Sequence, residues 1–388
     1  MGEGGEGGEG WSPAGQWGEG IHALILSARL PRKNASWQEA RAVLRVQSAQ
    51  LYLHTRGKRS YWSVEPPTHG EASANPYRER FRQGATLVPR TFWFVQLQPT
   101  PLGFNPKLPP VETYAPSKAG PEKRYRNLSY KGTVEAQFLY ATLLGDDVVP
   151  FGYRHVRLVV LPIVPAADGY ELLNAETARA QGYTRLAEWL DRAESEWNRL
   201  REQKAGKANL YQWLDYQSKL TIQSPTARYR VMYPNFQRVS FASVVDVEQV
   251  KQEAQQRYGV PVSGFIVESA LYACETNDEE EAHYLCALLN ASVIDERLGA
   301  LRRKEQKTHP NVHKKIFDVA VLPLYEAGDG RHRALAALGR ACALRVREAL
   351  ASGVLDGRLE IGVLRRRVRE LLASELAEID RLAREVVG

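Results

Sequence analysis

The 388-residue chain is poor in cysteine and has no long apolar run. Cys274, Cys286 and Cys342 form no Cys-x-x-Cys pair, which excludes a disulfide framework and the common redox and zinc spacings. Each lies in an apolar run and reads as a small buried residue. Cysteine used this way fits a reducing compartment, so the cytoplasm is the expected location. No segment approaches the ~20 apolar residues of a membrane span. The stretch IHALILSARL is too short and too interrupted, and no secretory signal precedes it. A membrane is not among the expected partners.

Other chemistry is missing too. His309 and His313 stand four apart, but Pro310 and Asn311 lie between them and no third metal ligand is near. No Ser/His/Asp set can be picked out. Asp246, Glu248 and Lys251 are the residue types a Mg²⁺-dependent nuclease needs. Yet VVDVEQVKQEAQQRYG reads as a strand end running into a polar helix. The opening MGEGGEGGEG follows no strand and carries no Lys-Ser/Thr, so it is not a phosphate-binding loop. Residues 1–20 are expected to be a disordered Gly/Glu-rich tail, as of a chain cut from a longer protein.

What is present is a basic excess that clusters. Lys plus Arg number 52 against 45 Asp plus Glu, a net of +7. The excess is moderate, so a polyanionic partner depends on where the cations gather. The densest run is LRRKEQKTHPNVHKK at 301–315, with Arg302, Arg303, Lys304, Lys307, Lys314 and Lys315 against Glu305. A second is TARYRVMYPNFQRVS, with Arg228, Arg230 and Arg238 among aromatics. Two more are RFRQGATLVPRTFWFV at 80–95 and the Lys123–Arg126 stretch. Lys and Arg neutralise phosphates, while Gln, Asn and Arg can reach base edges.

Periodicity predicts strands across 21–98, including AVLRVQ, LYLHT, SYWSVE and LVPRTFWFVQLQ. In the last of these, alternation puts Arg90, Phe92 and Phe94 on one face and Trp93 on the other, while Gly84 supplies a turn. A Pro-rich loop follows from Pro99 to Lys131. TVEAQFLYATLL has helical spacing, and HVRLVVLPIV reads as strand. Leu186, Trp189, Leu190, Ala193, Trp197 and Leu200 form one stripe of a long amphipathic helix. ARYRVMYPNF, VSFASVVDV, GFIVESALYACET and IFDVAVLPLY read as strands, with a Thr276/Glu279 capping box opening a helix between the last two. Leu335, Leu338, Cys342 and Val346, then Leu372, Leu376, Ile379, Ala383 and Val386, predict two helices separated by SGVLDG. The expected class is α/β of the α+β type. It comprises a mixed β-sheet domain, an inserted long amphipathic helix and a C-terminal antiparallel helical hairpin. The expected divisions are 1–20, 21–169, 170–222, 223–325 and 326–388.

FRQGATLVPRTFWFV, YKGTVEAQFLYATLL, VPFGY, EAHYLCALLNASVID and HPNVHKKIFDVAVLPLY occur in that order. Together these blocks resemble the non-catalytic, C-terminal half of large adenine-N6 DNA methyltransferases. These are the type IIG and phage-defence restriction-modification enzymes of prokaryotes. The resemblance spans roughly residues 80–325. It implies a target-recognition domain for double-stranded DNA, working with a catalytic methyltransferase domain or subunit. That family's Asp/Asn-Pro-Pro-aromatic motif grips a flipped adenine. Here the Pro-Pro steps are VEPPTH and KLPPVE, with neither Asp/Asn before nor an aromatic after. The Gly-rich S-adenosylmethionine loop is also missing from the sequence. No cofactor is therefore expected in this chain, and S-adenosylmethionine is expected in the catalytic partner.

On this reading the base-reading candidates are Gln83, Arg90, Asn235, Gln237, Lys307 and Asn311. The phosphate candidates are Arg124, Arg126, Arg228, Arg230, Lys314 and Lys315. No catalytic residue or metal ligand is assigned. Two alternatives stay open: a complete but divergent methyltransferase or nuclease, and a protein-interaction scaffold in a phage-defence complex.

Overall fold

The structure is a computed structural model. It describes residues 21–27, 32, 34–56, 59–63, 75–98, 100–114, 124–125, 127–201, 208–237, 239–302 and 312–387. Chain contacts divide it into two compact units, Met1–Ser73 and Ala74–Gly388.

The first unit holds a three-stranded antiparallel sheet, Ile21–Ser27, Arg45–Arg56 and Arg59–Ser63 in that order. A short helix, Trp37–Val43, precedes the middle strand, so AVLRVQ ends a helix before it becomes a strand. Ser36 and Glu39 close a reciprocal capping box there, which decides the local contest in favour of helix.

The second unit is built on two antiparallel sheets. The five-stranded sheet runs in the order Lys131–Thr133, Pro110–Thr113, Phe94–Leu97, Arg157–Val160, Leu139–Thr142. The four-stranded sheet runs Ser243–Asp246, Tyr229–Pro234, Leu271–Thr276, Arg82–Gln83. Both faces of the second sheet are buried. Tyr229, Val231 and Tyr233 alternate with Met232, and the two sets enter different cores. Tyr272 and Cys274 alternate likewise with Leu271 and Ala273. One core joins this sheet to the five-stranded sheet and to the Thr184–Leu200 helix, which buries the predicted Leu186, Trp189, Leu190, Ala193 and Trp197 stripe. The other joins it to the helices Glu279–Asn290, Gly330–Ala351, Ile361–Leu371 and Ala373–Val386. All three cysteines are buried and free.

The class is as expected, with helices mixed into antiparallel sheets. The helices Gly330–Ala351 and Ala373–Val386 run antiparallel, with Arg345 paired to Glu375 and Arg331 near Glu385, but a third helix, Ile361–Leu371, lies between them in sequence where a two-helix hairpin was expected. They share a core with the four-stranded sheet, and the expected divisions at 169, 222 and 325 fall inside one unit.

Three further segments differ from expectation. Arg90–Trp93 is one helical turn, with Thr91, Phe92 and Trp93 all buried, so the predicted alternation starts only at Phe94. The turn lets Phe92 stack on Tyr130 while its carbonyl accepts from Trp189 Nε1 at 3.1 Å. TVEAQFLYATLL is strand, 3-10 turn, strand rather than helix. Leu139–Thr142 is buried on both faces, and such a run lacks the polar face a surface helix needs. IFDVAVLPLY makes a single helical turn at Ile316–Val319 and no named strand. The cap of the Glu279–Asn290 helix is Asp278, whose carboxylate accepts from the Glu280 and Glu281 amides at 2.9 and 3.2 Å. Thr276 instead donates to Glu281 at 2.6 Å.

Candidate nucleic-acid interface

The antiparallel registers bring three chain segments to one end of the four-stranded sheet. Pro234 pairs with Leu271 and Tyr272 pairs with Gln83, so residues after 234, before 271 and after 83 emerge together. Asn235 N donates to Ala270 O at 2.7 Å, and Gly84 N donates to Leu271 O at 3.0 Å. A fourth segment joins them, because Val312 N donates to Asn235 O at 2.8 Å. His313 N donates to Asn235 Oδ1 at 3.1 Å, and the Tyr272 hydroxyl meets His313 Nδ1 at 3.0 Å. Burial and the nearby Lys315 charge hold the His313 imidazole below its ordinary pKa.

Gln83, Arg90, Asn235, Lys314 and Lys315 therefore gather around this end, with different roles. Gln83 Nε2 donates to Ser269 O at 2.8 Å, and its Oε1 accepts from Lys219 Nζ at 3.0 Å. Arg90 Nη2 donates at 3.0 Å to Glu268, a fully buried carboxylate that also takes Ser269 Oγ and the Ala270 amide. Lys314 pairs with Glu79 at 3.2 Å. Arg82 is exposed and Lys315 half-exposed, and neither has an ion pair among the described residues.

Asn235 and Gln237 are corrected as direct base readers in this conformation. They are 4% and 3% exposed, and their side-chain oxygens accept from the His313 and Phe241 amides. Their amides shape the loop; they do not face solvent. Arg230 is corrected as a phosphate contact. It is 1% exposed, donates to Ala227 O and Ser224 O at 2.6 Å each, and pairs with Glu275 at 3.1 Å. A basic residue inside a strand buried on both faces turns inward and needs internal acceptors. Replacing Arg230 by Met strands those carbonyls and lowers stability by about 2–3 kcal/mol. Denaturant melts check this.

Arg228 is exposed but lies at the opposite end of the sheet, paired with Asp246 at 3.1 Å. Five residue steps along the strand separate the two ends, roughly 17 Å. Arg124 is exposed and adjoins Tyr125, which stacks parallel to Trp197 in the other core. Arg126, Lys307 and Asn311 lie outside the described residues, as do residues 1–20.

Sequence reasoning missed Lys219 and Glu268, because both belong to this surface only through contacts distant in sequence. It also missed a cleft of about 690 Å³ near the opposite end, lined by Arg154, Arg257, Arg340, Arg347, Glu253 and His283. Within it Arg340 pairs with Glu279, and the Tyr153 hydroxyl donates to Glu253 at 3.0 Å. Burial, aided by Arg340, lowers the His283 pKa from 6.5 to about 4. His283 thus stabilises the fold fully above pH 6.5, and that contribution is lost as pH falls through 4, by about 3 kcal/mol. His283→Gln flattens the dependence of unfolding free energy on pH across that window. Among the described residues, no three His, Cys, Asp or Glu side chains gather as a metal site. No helix among them is long and apolar enough to cross a membrane.

No protein-family model and no curated protein matches the chain. A solved structure of the type IIL restriction-modification enzyme MmeI in complex with DNA is similar over 64% of this chain, at 10% identity and a TM-score of 0.39. The match covers 28% of that enzyme's chain, and likeness at this level assigns neither a fold family nor an activity.

Proposed function

We propose that this chain recognises double-stranded DNA sequence-specifically, as the target-recognition part of an adenine-N6 DNA methyltransferase system. Methyl transfer and S-adenosylmethionine belong to a separate catalytic domain or subunit. The observation that carries this reading is the convergence of segments distant in sequence at one end of the four-stranded sheet. Lys219 bonds the Gln83 side chain there, and Arg82, Lys314 and Lys315 are carried by segments that reach the same end.

Cations around a polar reader suit the division of labour in DNA binding, where phosphate contacts position and base contacts specify. Gln pairs two-fold with adenine in the major groove, so Gln83 is the leading base reader. Arg90 holds Glu268 and thereby the Ser269–Ala270 turn against which Gln83 rests. The test compares duplex binding of the full chain across a salt series for Lys314→Ala/Lys315→Ala and for Arg228→Ala. The first pair flattens the salt dependence and the second leaves it unchanged. The opposite ranking overturns the assignment of this surface.

A further inference from the structure

Among the described residues, non-glycine backbone with positive φ occurs at Phe151, Gln217, Ser218 and His313. Three of these adjoin the same sheet end: Gln217 and Ser218 precede Lys219, which holds Gln83, and His313 holds Tyr272. Such conformations persist only where surrounding contacts over-determine them, and they concentrate where function uses them.

The turn at 216–219 is over-determined. The Asp215 carboxylate accepts from the Leu220 amide at 3.0 Å, the Thr221 amide at 3.1 Å and the Thr221 hydroxyl at 2.8 Å. The buried Gln223 side chain donates to both Lys219 O and Val267 O at 3.0 Å and accepts from Val267 N at 2.8 Å. Val267 O also accepts from Ala85 N at 2.7 Å, so Gln223 fastens the turn to the chain that follows Gln83. Tyr216, Gln217 and Ser218 are left exposed, and Lys219 is half-buried. Its ammonium lies 5.7 Å from the Tyr216 ring and 3.0 Å from Gln83 Oε1, with no carboxylate partner among the described residues. A cation held only by an amide oxygen and an aromatic face keeps its charge available for a stronger acceptor.

We infer that Lys219 is a latch that couples a DNA phosphate contact to base reading by Gln83, an inference that rests on the DNA-recognition reading above. In free protein Lys219 occupies Gln83 Oε1. On the duplex its ammonium moves to a backbone phosphate oxygen, and Oε1 is released to accept from a base-edge amino group. The rigid turn keeps the lysine within reach of both positions. Lys219 is thus a positioning residue for Gln83 as well as a phosphate contact.

The test uses the full chain, a random-sequence duplex for salt dependence and a duplex enriched by the wild-type chain from a random pool. Lys219→Met reduces the slope of log affinity against log salt by about 0.9, the share of one phosphate. Lys219→Arg restores it. On the enriched duplex the loss from Gln83→Ala changes at least about threefold between the wild-type and Lys219→Met backgrounds, the coupling expected of neighbours in one network. Unaltered thermal unfolding of Lys219→Met shows that the turn is intact. An unchanged slope, or strictly additive losses, overturns the latch while DNA recognition stands. Absence of salt-dependent binding by the wild-type chain overturns both.

Discussion

Gly84→Ala destabilises the second unit by about 3 kcal/mol, the upper range for forcing atoms into a filled site. A Cβ at this position would meet the Val267 carbonyl carbon at 2.5 Å and the Glu268 oxygen at 2.6 Å. Those are backbone atoms, so no side-chain rotation relieves the clash. Gly84 N donates to Leu271 O at 3.0 Å, Ala85 N to Val267 O at 2.7 Å and Ser269 N to Ala85 O at 2.8 Å. The substitution must break part of that set or push the edge strand away. It also moves Gln83 and the backbone that Gln223 fastens to the Lys219 turn, so DNA affinity falls with stability. Gly132→Ala is the control, since nothing lies within 4 Å of its added Cβ. Denaturant melts of the two variants separate by most of the 3 kcal/mol if close backbone approach is the reason for glycine at 84.

Gly84 also shows where the sequence stops being legible. The QGAT stretch looked like a turn because glycine punctuates turns. Its actual work is to let two backbones touch across 183 positions of chain, from Gly84 to Val267, and only tertiary structure reveals such an approach. The amphipathic helix at Thr184–Leu200 was legible because its stripe repeats over four turns. Leu139–Thr142 was not, because a short apolar run suits a doubly buried strand and a helix equally well. Arg230 and Asn235 looked like surface recognition residues by type. They are buried because their strand lies between two cores and its ends need internal hydrogen bonds. Gln83, Lys314 and Lys315 lie on segments near one end of the four-stranded sheet, whereas Lys219 lay in the 170–222 stretch expected as a helical insertion and entered only through its bond to Gln83.

The proposed DNA recognition carries an expected salt dependence: affinity for duplex DNA falls steeply as salt rises. Each neutralised phosphate contributes about 0.9 to the slope of log affinity against log salt. If Arg82, Lys219, Lys314 and Lys315 each take one phosphate, the slope is near −3.6. A fourfold rise in salt, from about 50 to about 200 mM, then lowers affinity roughly 150-fold. The net charge of +7 alone would also draw DNA in. A general field differs from a built surface in how it responds to substitution. Removing Lys314 and Lys315 from a built surface takes about 1.8 off the slope, while removing the equally basic Arg228 takes nothing.

The most direct measurement is therefore the affinity of the full 388-residue chain for a short duplex across that salt range. The expected result is binding at about 50 mM salt with a slope near −3.6 that Lys314→Ala/Lys315→Ala halves. No binding at low salt, or a slope that these substitutions leave untouched, contradicts it.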